Sequence, residues 1–181
     1  GGYTRMALLW NATTGEPTGA PMRQRDTVRA VTLSPDGTRV VTGNQDGVLR
    51  IWDLVQGKYV GEPVKHEDRI LAAVYSADGL RILTETDDRV QVRDAATGRP
   101  IGKSFPHPDG INRTAFSPDS SRLVIRSRGS LSLWDVATGG LVGKMPHRGG
   151  RGVTFNPDGS RILAGGTRDG LVRLWDDATQ K

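Results

Sequence analysis

One stretch of this chain occurs four times with variations. Residues 34–53 read SPDGTRVVTGNQDGVLRIWD, and related stretches occupy residues 76–94, 117–135 and 156–176. A shorter copy, MALLWNATTGEP, begins at Met6. The position of the tryptophan falls at intervals of 42, 41, 41 and 41 residues, at Trp10, Trp52, Arg93, Trp134 and Trp175. A constant period of this length over nearly the whole chain predicts a repeat architecture.

Each copy has the pattern of short antiparallel strands joined by tight turns. In SPDG, Pro35 sets φ for the second position of a type I turn, and Gly37 supplies the left-handed residue that ends it. After the next turn, apolar and polar residues alternate, which is typical of a strand. An Asp-started turn closed by glycine then leads to a short fourth strand, predicted at residues 58–63, 99–103 and 141–144. No window has a helical period, so the chain is predicted to be all-β.

The first strand of each copy is predicted to be buried on both faces between neighbouring sheets. Its apolar residues are closely spaced, as in Val31 and Leu33 or Ile70 and Leu71. If one face were bare, a few hundred Å² of apolar surface at about 25 cal/mol per Å² would cost several kcal/mol. We therefore expect every such face to be covered.

The repeats resemble WD40 repeats, which build β-propellers from four-stranded blades around a central channel. The resemblance rests on the SPDG turns, on a histidine about ten residues before the turn (His66, His107 and His147), and on the Trp–Asp pairs. The positions to which it assigns a structural role are Trp52, Asp53, Asp94, Trp134, Asp135, Trp175 and Asp176. It implies an all-β propeller of WD40-type four-stranded antiparallel blades with four repeats per chain.

The resemblance also implies a domain organisation. Residues 1–181 are expected to form a single WD40-like repeat domain with an extra N-terminal strand at residues 4–10. The repeats span approximately residues 12–53, 54–94, 95–135 and 136–176. The last repeat is expected to be without its outer strand, which the segment near residues 16–22 could supply.

The resemblance further implies a buried set of His, Ser or Thr, Asp and Trp in each blade, and no copy completes it. Gln24 replaces the histidine in the first copy, and Arg93 replaces the tryptophan in the second. Ile125 and Ala164 replace the hydroxyl residue in the third and fourth. Because a partly satisfied buried network stabilises poorly, packing between blades is expected to hold the fold.

The amino-acid composition excludes several classes of site and of function. The chain has no cysteine, which excludes disulfides and thiolate metal sites and fits a cytoplasmic location. No apolar run is long enough for a transmembrane helix, so no membrane association is expected. The net charge of +5 comes from dispersed arginines. Four of them share one strand position, Arg39, Arg81, Arg122 and Arg161, which predicts a structural role such as pairing with a nearby aspartate.

No catalytic, cofactor or metal site is predicted. The histidines recur once per repeat, which indicates a structural role, and Asp87-Asp88 has too few carboxylates nearby in sequence for a cation site. What remains is a rim of loops before the first strands and of turns between the second and third strands. The candidate partner-binding residues on it are Arg25, Asn44, Gln45, Glu67, Asp68, Asp88, Asp109, Arg128, Arg148 and Arg168.

The sequence therefore predicts a non-enzymatic scaffold that binds peptide or protein partners through this rim. Completion of the ring is expected from a second copy, giving eight blades, or from a longer parent chain, with a tight four-bladed ring as the less favoured option. Two other interpretations stay open at this point. One is a basic nucleic-acid-binding surface, which the dispersed arginines disfavour, and the other is a structural or engineered repeat protein without a ligand.

Overall fold

The computed structural model describes residues 4–107, 109–147, 152–165 and 171–179. All regular structure within these ranges is β-strand. β1 (Met6–Trp10) and β2 (Pro17–Arg23) form a two-stranded N-terminal sheet. Sheet I contains β3 (Val28–Leu33), β4 (Arg39–Asn44), β5 (Val48–Asp53) and β6 (Lys58–Lys65). Sheet II contains β7 (Ala72–Tyr75), β8 (Arg81–Glu85), β9 (Arg89–Asp94) and β10 (Phe105–Pro106).

Sheet III contains β11 (Arg113–Phe116), β12 (Arg122–Arg126), β13 (Ser130–Asp135) and β14 (Leu141–Pro146). Sheet IV contains β15 (Gly152–Phe155), β16 (Arg161–Gly165) and β17 (Arg173–Asp176). Within each sheet the spatial order follows the chain order, which makes every sheet a meander. The prediction of four-stranded antiparallel sheets is confirmed for sheets I to III.

Two predicted strand assignments are wrong. The fourth strand predicted at residues 99–103 consists of one bridge, between Arg93 and Pro100, followed by the two-residue strand β10. The proline lacks the N–H that a longer ladder needs. The segment near residues 16–22, expected as the outer strand of the last repeat, instead pairs with β1 as strand β2.

Tight turns fix the hairpins between first and second strands. Gly37 ends the SPDG turn with a φ of 70°, in the left-handed region that favours glycine. Ser120 holds the same position in sheet III with a φ of 61°. The Ser34 hydroxyl donates a hydrogen bond of 2.5 Å to Asp36 Oδ1, and this bond together with two from Thr38 lowers the pKa of Asp36 to about 2.

Residue contacts divide the chain into two compact units. Unit 1 comprises Gly1–Tyr75, Gly79–Asp87 and Arg93–Pro100. Unit 2 comprises Ser76–Asp78, Asp88–Val92 and Ile101–Lys181. The strands of sheet II are therefore shared between the two units.

In unit 1 the sheets pack face to face. One side of sheet I, here called its forward face, carries Val41, Leu49 and Ile51. These side chains form a buried cluster with the rear face of sheet II, which carries Ala73, Tyr75 and Ile82. The rear face of sheet I packs in turn against the N-terminal sheet, through a cluster of Val40 and Trp52 with Ala7 and Met22.

Unit 2 repeats this arrangement. The forward face of sheet III carries Val124, Leu131 and Leu133, and it packs against the rear face of sheet IV. That rear face contributes Val153, Phe155, Ile162 and Trp175. The forward face of one sheet thus meets the rear face of the next within each unit, as the periodic apolar pattern predicts.

Two sheet faces are less buried than predicted. On the rear face of sheet I, Val31 is 55% and Leu33 is 48% exposed, so the prediction that this first strand is buried on both faces is wrong. On the forward face of sheet IV, Leu163 is 39% and Leu174 is 51% exposed. The physical reason at sheet I is that its neighbour, the N-terminal sheet, has only two strands and covers only the outer part of the rear face.

Candidate interaction surface

Two backbone segments of unit 1 build the predicted rim. The turn between β4 and β5 lies beside the loop between β6 and β7, where Gly47 O accepts a hydrogen bond from His66 N at 2.8 Å and Asn44 O accepts one from Ile70 N at 3.1 Å. Gly47 has a φ of 77°, and a Cβ on it would lie 2.7 Å from Asp68 O. This turn–loop contact brings together the backbone of four predicted rim residues, Asn44, Gln45, Glu67 and Asp68.

The side chains of these residues differ in accessibility. Glu67 and Asp68 are exposed. Gln45 is half-buried, and its Oε1 accepts a hydrogen bond of 2.6 Å from Arg29 Nε. Arg25, on the loop between β2 and β3, is exposed. These four side chains present both signs of charge.

Asn44 is a correction to the predicted rim. Its side chain is fully buried, and its Nδ2 donates to Gln24 Oε1 at 3.2 Å. The amide lies beneath the turn because Asn44 ends β4, where alternation directs the side chain inward. Asn44 therefore supports the surface from below and does not form part of it.

An exposed ion pair on the same side of unit 1 was not predicted from the sequence. Arg69 Nε and Nη2 both donate to the Asp87 carboxylate at 2.9 Å. This bidentate contact holds the pKa of Asp87 below its ordinary value and raises that of Arg69. Such an exposed pair contributes little to stability, because water and salt screen the attraction between its charges. It gives the surface a fixed pattern of charge.

In unit 2 the predicted rim residues lie on equivalent segments. Asp88 O accepts a hydrogen bond of 2.6 Å from His107 N, which places the turn before β9 beside the loop that contains Asp109. Asp88, Asp109 and Arg128 have exposed side chains. Gly129, next to Arg128, accepts a hydrogen bond of 3.2 Å from His147 N through its carbonyl. Arg148 and Arg168 lie outside the described residues.

Beneath the rim of unit 1, His66 connects two strands of sheet II to sheet I. Its Nε2 lies 3.1 Å from both Thr84 Oγ1 and Arg93 Nε. Because Arg93 donates to Nε2, the imidazole proton belongs on Nδ1, which faces Gly47 O at 3.3 Å. Burial, and secondly the Arg93 cation, lowers the pKa of His66 to about 4. The ring is therefore neutral near pH 7 and joins the rim turn to the core.

The corresponding position in sheet I is Gln24, and it completes a similar network. Thr42 Oγ1 accepts hydrogen bonds of 3.0 Å from Gln24 Nε2 and from Trp52 Nε1. Gln24 Oε1 also accepts from Arg50 Nη1 at 2.8 Å. From the sequence, no copy was expected to complete the set of His, Ser or Thr, Asp and Trp. In sheet I a glutamine takes the place of the histidine and makes the hydrogen bonds to Thr42 and Arg50. Sequence alone does not show which amide atom faces which partner.

Sheet III shows the effect of losing the central hydroxyl. Ile125 occupies the position of Thr42, and Trp134 Nε1 is buried without a hydrogen-bond acceptor among the described residues. Ring contacts replace the network, since Trp134 lies 5.7 Å from His107 and 5.2 Å from Phe105 between ring centroids. Trp175 similarly lies 5.4 Å from His147 in sheet IV.

The repeated aspartates after the third strands shape turns at the other end of the sheets. Asp53 Oδ1 accepts from the backbone N–H groups of Val55 and Gln56 at 2.8 and 2.9 Å. Asp94, Asp135 and Asp176 each accept from the backbone N–H of a threonine three residues later, at 2.8 Å. These are Asx turns, which stabilise the local backbone.

Two of the four repeated arginines at the start of the second strands reach the turn that follows the third strand of the next sheet. Arg39 Nη1 donates to Ala95 O at 3.3 Å. Arg122 Nη1 lies 3.5 Å from Asp177 Oδ2, at the equivalent place of the next turn. The predicted pairing with an aspartate is thus confirmed for Arg122, whereas the partner of Arg39 is a carbonyl group.

Within the part of the chain that the structure describes, no group of three or more His, Cys, Asp or Glu side chains is placed to hold a metal ion. The described residues also include no helix with the length and apolar character needed to cross a membrane. The geometry offers exposed charged and amide side chains on a hydrogen-bonded loop framework. Such an arrangement is suited to recognition by complementary hydrogen bonds and charges.

Comparison with known proteins identifies the repeat. The family model described as WD domain, G-beta repeat matches residues 19–53 and 141–176. No curated protein sequence gives a significant match. Many solved structures are similar, among them the crystal structure of the computationally designed Ika8 protein, with a TM-score of 0.80 and 23% identity.

That match covers 95% of this chain and 52% of the designed chain, so this chain spans about half its length. At this identity the likeness concerns the fold alone. Together with the repeated Trp–Asp positions and the four-stranded meanders, the matched repeats support a WD40-repeat family and an all-β, propeller-like fold for this chain.

Proposed function

We propose that this chain is a non-enzymatic interaction scaffold that binds peptide or protein partners through its rim. The observation that supports this most strongly is the contact between the turn before β5 and the loop after β6, where Gly47 O and Asn44 O accept two inter-segment hydrogen bonds. The exposed side chains of Glu67 and Asp68 therefore stand on a backbone that is ordered before any partner arrives. Preorganised loops lose less conformational entropy on binding.

The charge distribution favours a polypeptide over a nucleic acid. Several arginines are engaged by protein acceptors, among them Arg29 with Gln45, Arg69 with Asp87 and Arg122 with Asp177. The rim of unit 1 also carries acidic side chains, which would repel a phosphate backbone. A polypeptide partner with both charged and amide groups complements this surface better than a nucleic acid does.

We also propose that residues 1–181 act as one repeat domain within a larger ring, completed by a second copy to give eight blades or by the rest of a longer chain. The exposed apolar residues on sheets I and IV support this, because their equivalents between sheets are buried. A tight ring of four blades is the less favoured alternative. The cytoplasmic location stays a prediction from the cysteine-free composition.

A displayed library of random peptides, selected against the immobilised chain, tests the proposed binding role. Selected peptides should bind the double variant Glu67→Ala/Asp68→Ala at least about tenfold more weakly, a loss of roughly 1.4 kcal/mol. The matched control is Gln56→Ala, an exposed polar residue in the turn after β5. Equal binding to both variants would show that the rim is not the binding surface. Salt-sensitive binding of random-sequence duplex DNA, with no selected peptide, would favour the nucleic-acid alternative.

A further inference from the structure

The rim of unit 1 is a row of three backbone segments joined by hydrogen bonds. The turn between β4 and β5 lies in the middle. On one side of it, Thr27 O accepts a hydrogen bond of 2.9 Å from Gln45 N. On the other side, Gly47 O accepts one of 2.8 Å from His66 N. The backbone therefore fixes the order of the segments along the rim: loop 24–27, turn 45–47 and loop 66–71.

The first segment and the start of β3 carry the positive charge of this rim. Arg25 is exposed and forms no salt bridge within the described part of the chain. Arg29 is also exposed, and its Nε donates to Gln45 Oε1 at 2.6 Å, which fixes the position of the guanidinium group. The neighbouring carboxylate of Asp26 is half-buried and accepts from the backbone N–H of Thr27 at 2.6 Å. This end of the rim therefore presents mainly guanidinium groups.

The middle turn and the third segment carry the negative charge. Asp46, Glu67 and Asp68 are exposed, and none of the three forms a salt bridge with another described residue. The nearest following cation, Arg69, is engaged by the Asp87 carboxylate through two hydrogen bonds of 2.9 Å. The charges on this rim are therefore segregated along it, with cations at one end and carboxylates at the other.

The packing of the sheets sets the distance between the two charged ends. Loop 24–27 leads into sheet I and loop 66–71 leads into sheet II, and these two sheets pack face to face. Packed sheets lie about 10 Å apart, and an extended peptide rises about 3.3 Å per residue. About three residues of an extended peptide therefore span the distance from one charged end to the other.

The arginine end is suited to carboxylates in particular. A guanidinium group can donate two parallel hydrogen bonds to one carboxylate, which makes such contacts shorter and stronger than neutral ones. Arg69 makes this contact with Asp87 on the same side of unit 1. The exposed guanidinium group of Arg25 has the same capacity toward a carboxylate that a ligand supplies.

We infer that the rim of unit 1 recognises a peptide whose acidic and basic side chains are segregated and lie about three residues apart. The acidic side chains of the peptide bind to Arg25 and Arg29. Its basic side chains bind to Asp46, Glu67 and Asp68. This inference rests on the proposed role of the chain as a peptide-binding scaffold, and it names the chemistry of the partner. A segment with one sign of charge would be attracted at one end of the rim and repelled at the other.

Two synthetic peptides of identical composition test the inference. The segregated peptide is Asp-Glu-Gly-Ser-Lys-Arg, and the mixed peptide is Asp-Lys-Gly-Ser-Glu-Arg. Both have blocked termini and carry a fluorescent dye, and their affinity is measured by fluorescence anisotropy with the full chain at about 50 mM salt, where screening is weak. We expect the segregated peptide to bind at least about fivefold more tightly than the mixed peptide.

Substitutions on both partners locate the two contacts. Arg25→Ala should weaken binding of the segregated peptide, but not of a peptide in which serines replace the acidic pair. Glu67→Ala/Asp68→Ala should weaken binding only while the basic pair of the peptide is present. Such coupling between a substitution on the chain and one on the peptide identifies groups in contact. The matched controls are Arg99→Ala and Glu16→Ala, at exposed positions of unit 1 in turns at the other end of the sheets.

The outcomes separate this inference from the proposed function. Equal affinity for the segregated and mixed peptides would overturn the inference. Peptides selected from a random library that bind the rim but are uncharged, or carry one sign of charge, would overturn it as well and leave the scaffold role standing. If no peptide binds, selected or synthetic, both the inference and the scaffold role fail. Coupling at the arginine end and at the carboxylate end, with no effect of the control variants, would support the inference.

Discussion

At the residue scale, one position of the repeat determines whether the buried polar side chains of each sheet have a hydrogen-bond partner. Thr42 and Thr84 place a hydroxyl between the side chains of neighbouring strands, whereas Ile125 and Ala164 place none. The consequence is visible at Trp134, whose indole N–H lacks an acceptor among the described residues. Hydrogen bonding and ring packing thus serve the same purpose in different copies.

Replacement of Thr42 by valine should be costly although it preserves shape. Trp52 Nε1 and Gln24 Nε2 would both lose their acceptor in a buried site. We expect the free energy of unfolding to fall by about 1–3 kcal/mol in denaturant titrations. Thr32→Val, at a half-buried position of the same sheet, is the control and should change it by less than about 0.5 kcal/mol. An equal loss of unfolding free energy in the two variants would contradict the role assigned to the hydrogen-bond network around Thr42.

The left-handed turn position gives a second prediction at this scale. Ser120→Gly should raise the free energy of unfolding by up to about 1 kcal/mol, because a φ of 61° is unfavourable for a residue with a Cβ. Gly37→Ala should lower it by about the same amount, although nothing lies within 4 Å of the added Cβ. Gly129→Ala, where φ is not in that region and space is also free, should not destabilise. Thermal unfolding of the three variants provides the measurement.

At the scale of the element, the pKa of His66 makes sheet II sensitive to acid. A histidine whose folded pKa, about 4, lies below its ordinary value of 6.5 binds a proton more readily when unfolded. Its contribution to stability is therefore present above pH 6.5 and is lost as the pH falls from 6.5 towards 4. His107 has a lowered pKa as well, mainly through burial, and adds to the same trend.

His66→Gln should flatten this pH dependence while keeping the fold. Glutamine already serves at the equivalent position, where Gln24 donates to Thr42. The measurement is the denaturant midpoint between pH 7 and pH 4 for the wild type and the variant. An unchanged slope would contradict the assignment of a buried neutral imidazole. The remaining slope in the variant should reflect His107 and, near pH 4, the aspartates whose pKa is lowered, such as Asp36 and Asp119.

The strands themselves were largely predictable because their signals are local. Alternation along Leu49-Arg50-Ile51 predicts β5, and the SPDG turn predicts the hairpin from β3 to β4. The partner of β2 was not predictable, since any fourth strand fits any third strand of the repeat. The positions of the rim side chains were predicted only in part from the sequence. Asn44 lies inward and the Arg69–Asp87 pair depends on three-dimensional proximity of two loops.

At the scale of the whole molecule, equivalent residues should respond differently according to their neighbours. Leu133 is fully buried between sheets, whereas Leu174 at the same repeat position is 51% exposed. Leu133→Asp should prevent folding, because it buries a charge without a partner. Leu174→Asp should leave the stability of the single chain nearly unchanged, and it should weaken the proposed association with a second copy. Circular dichroism and light scattering on the two variants check this contrast, and equal loss of folding would contradict it.

The central claim is that a sheet repeated about every 41 residues is stable only when neighbouring sheets cover both of its faces. Amide hydrogen exchange, resolved by residue, tests this most directly. The slowest amides should recur in the second strands β4, β8 and β12, around Val41, Leu83 and Val124, with faster exchange in β1 and β17 at the open ends. Slow exchange confined to one continuous stretch of the chain would contradict the claim. Amides in β1 that exchange as slowly as those in β12 would also contradict it.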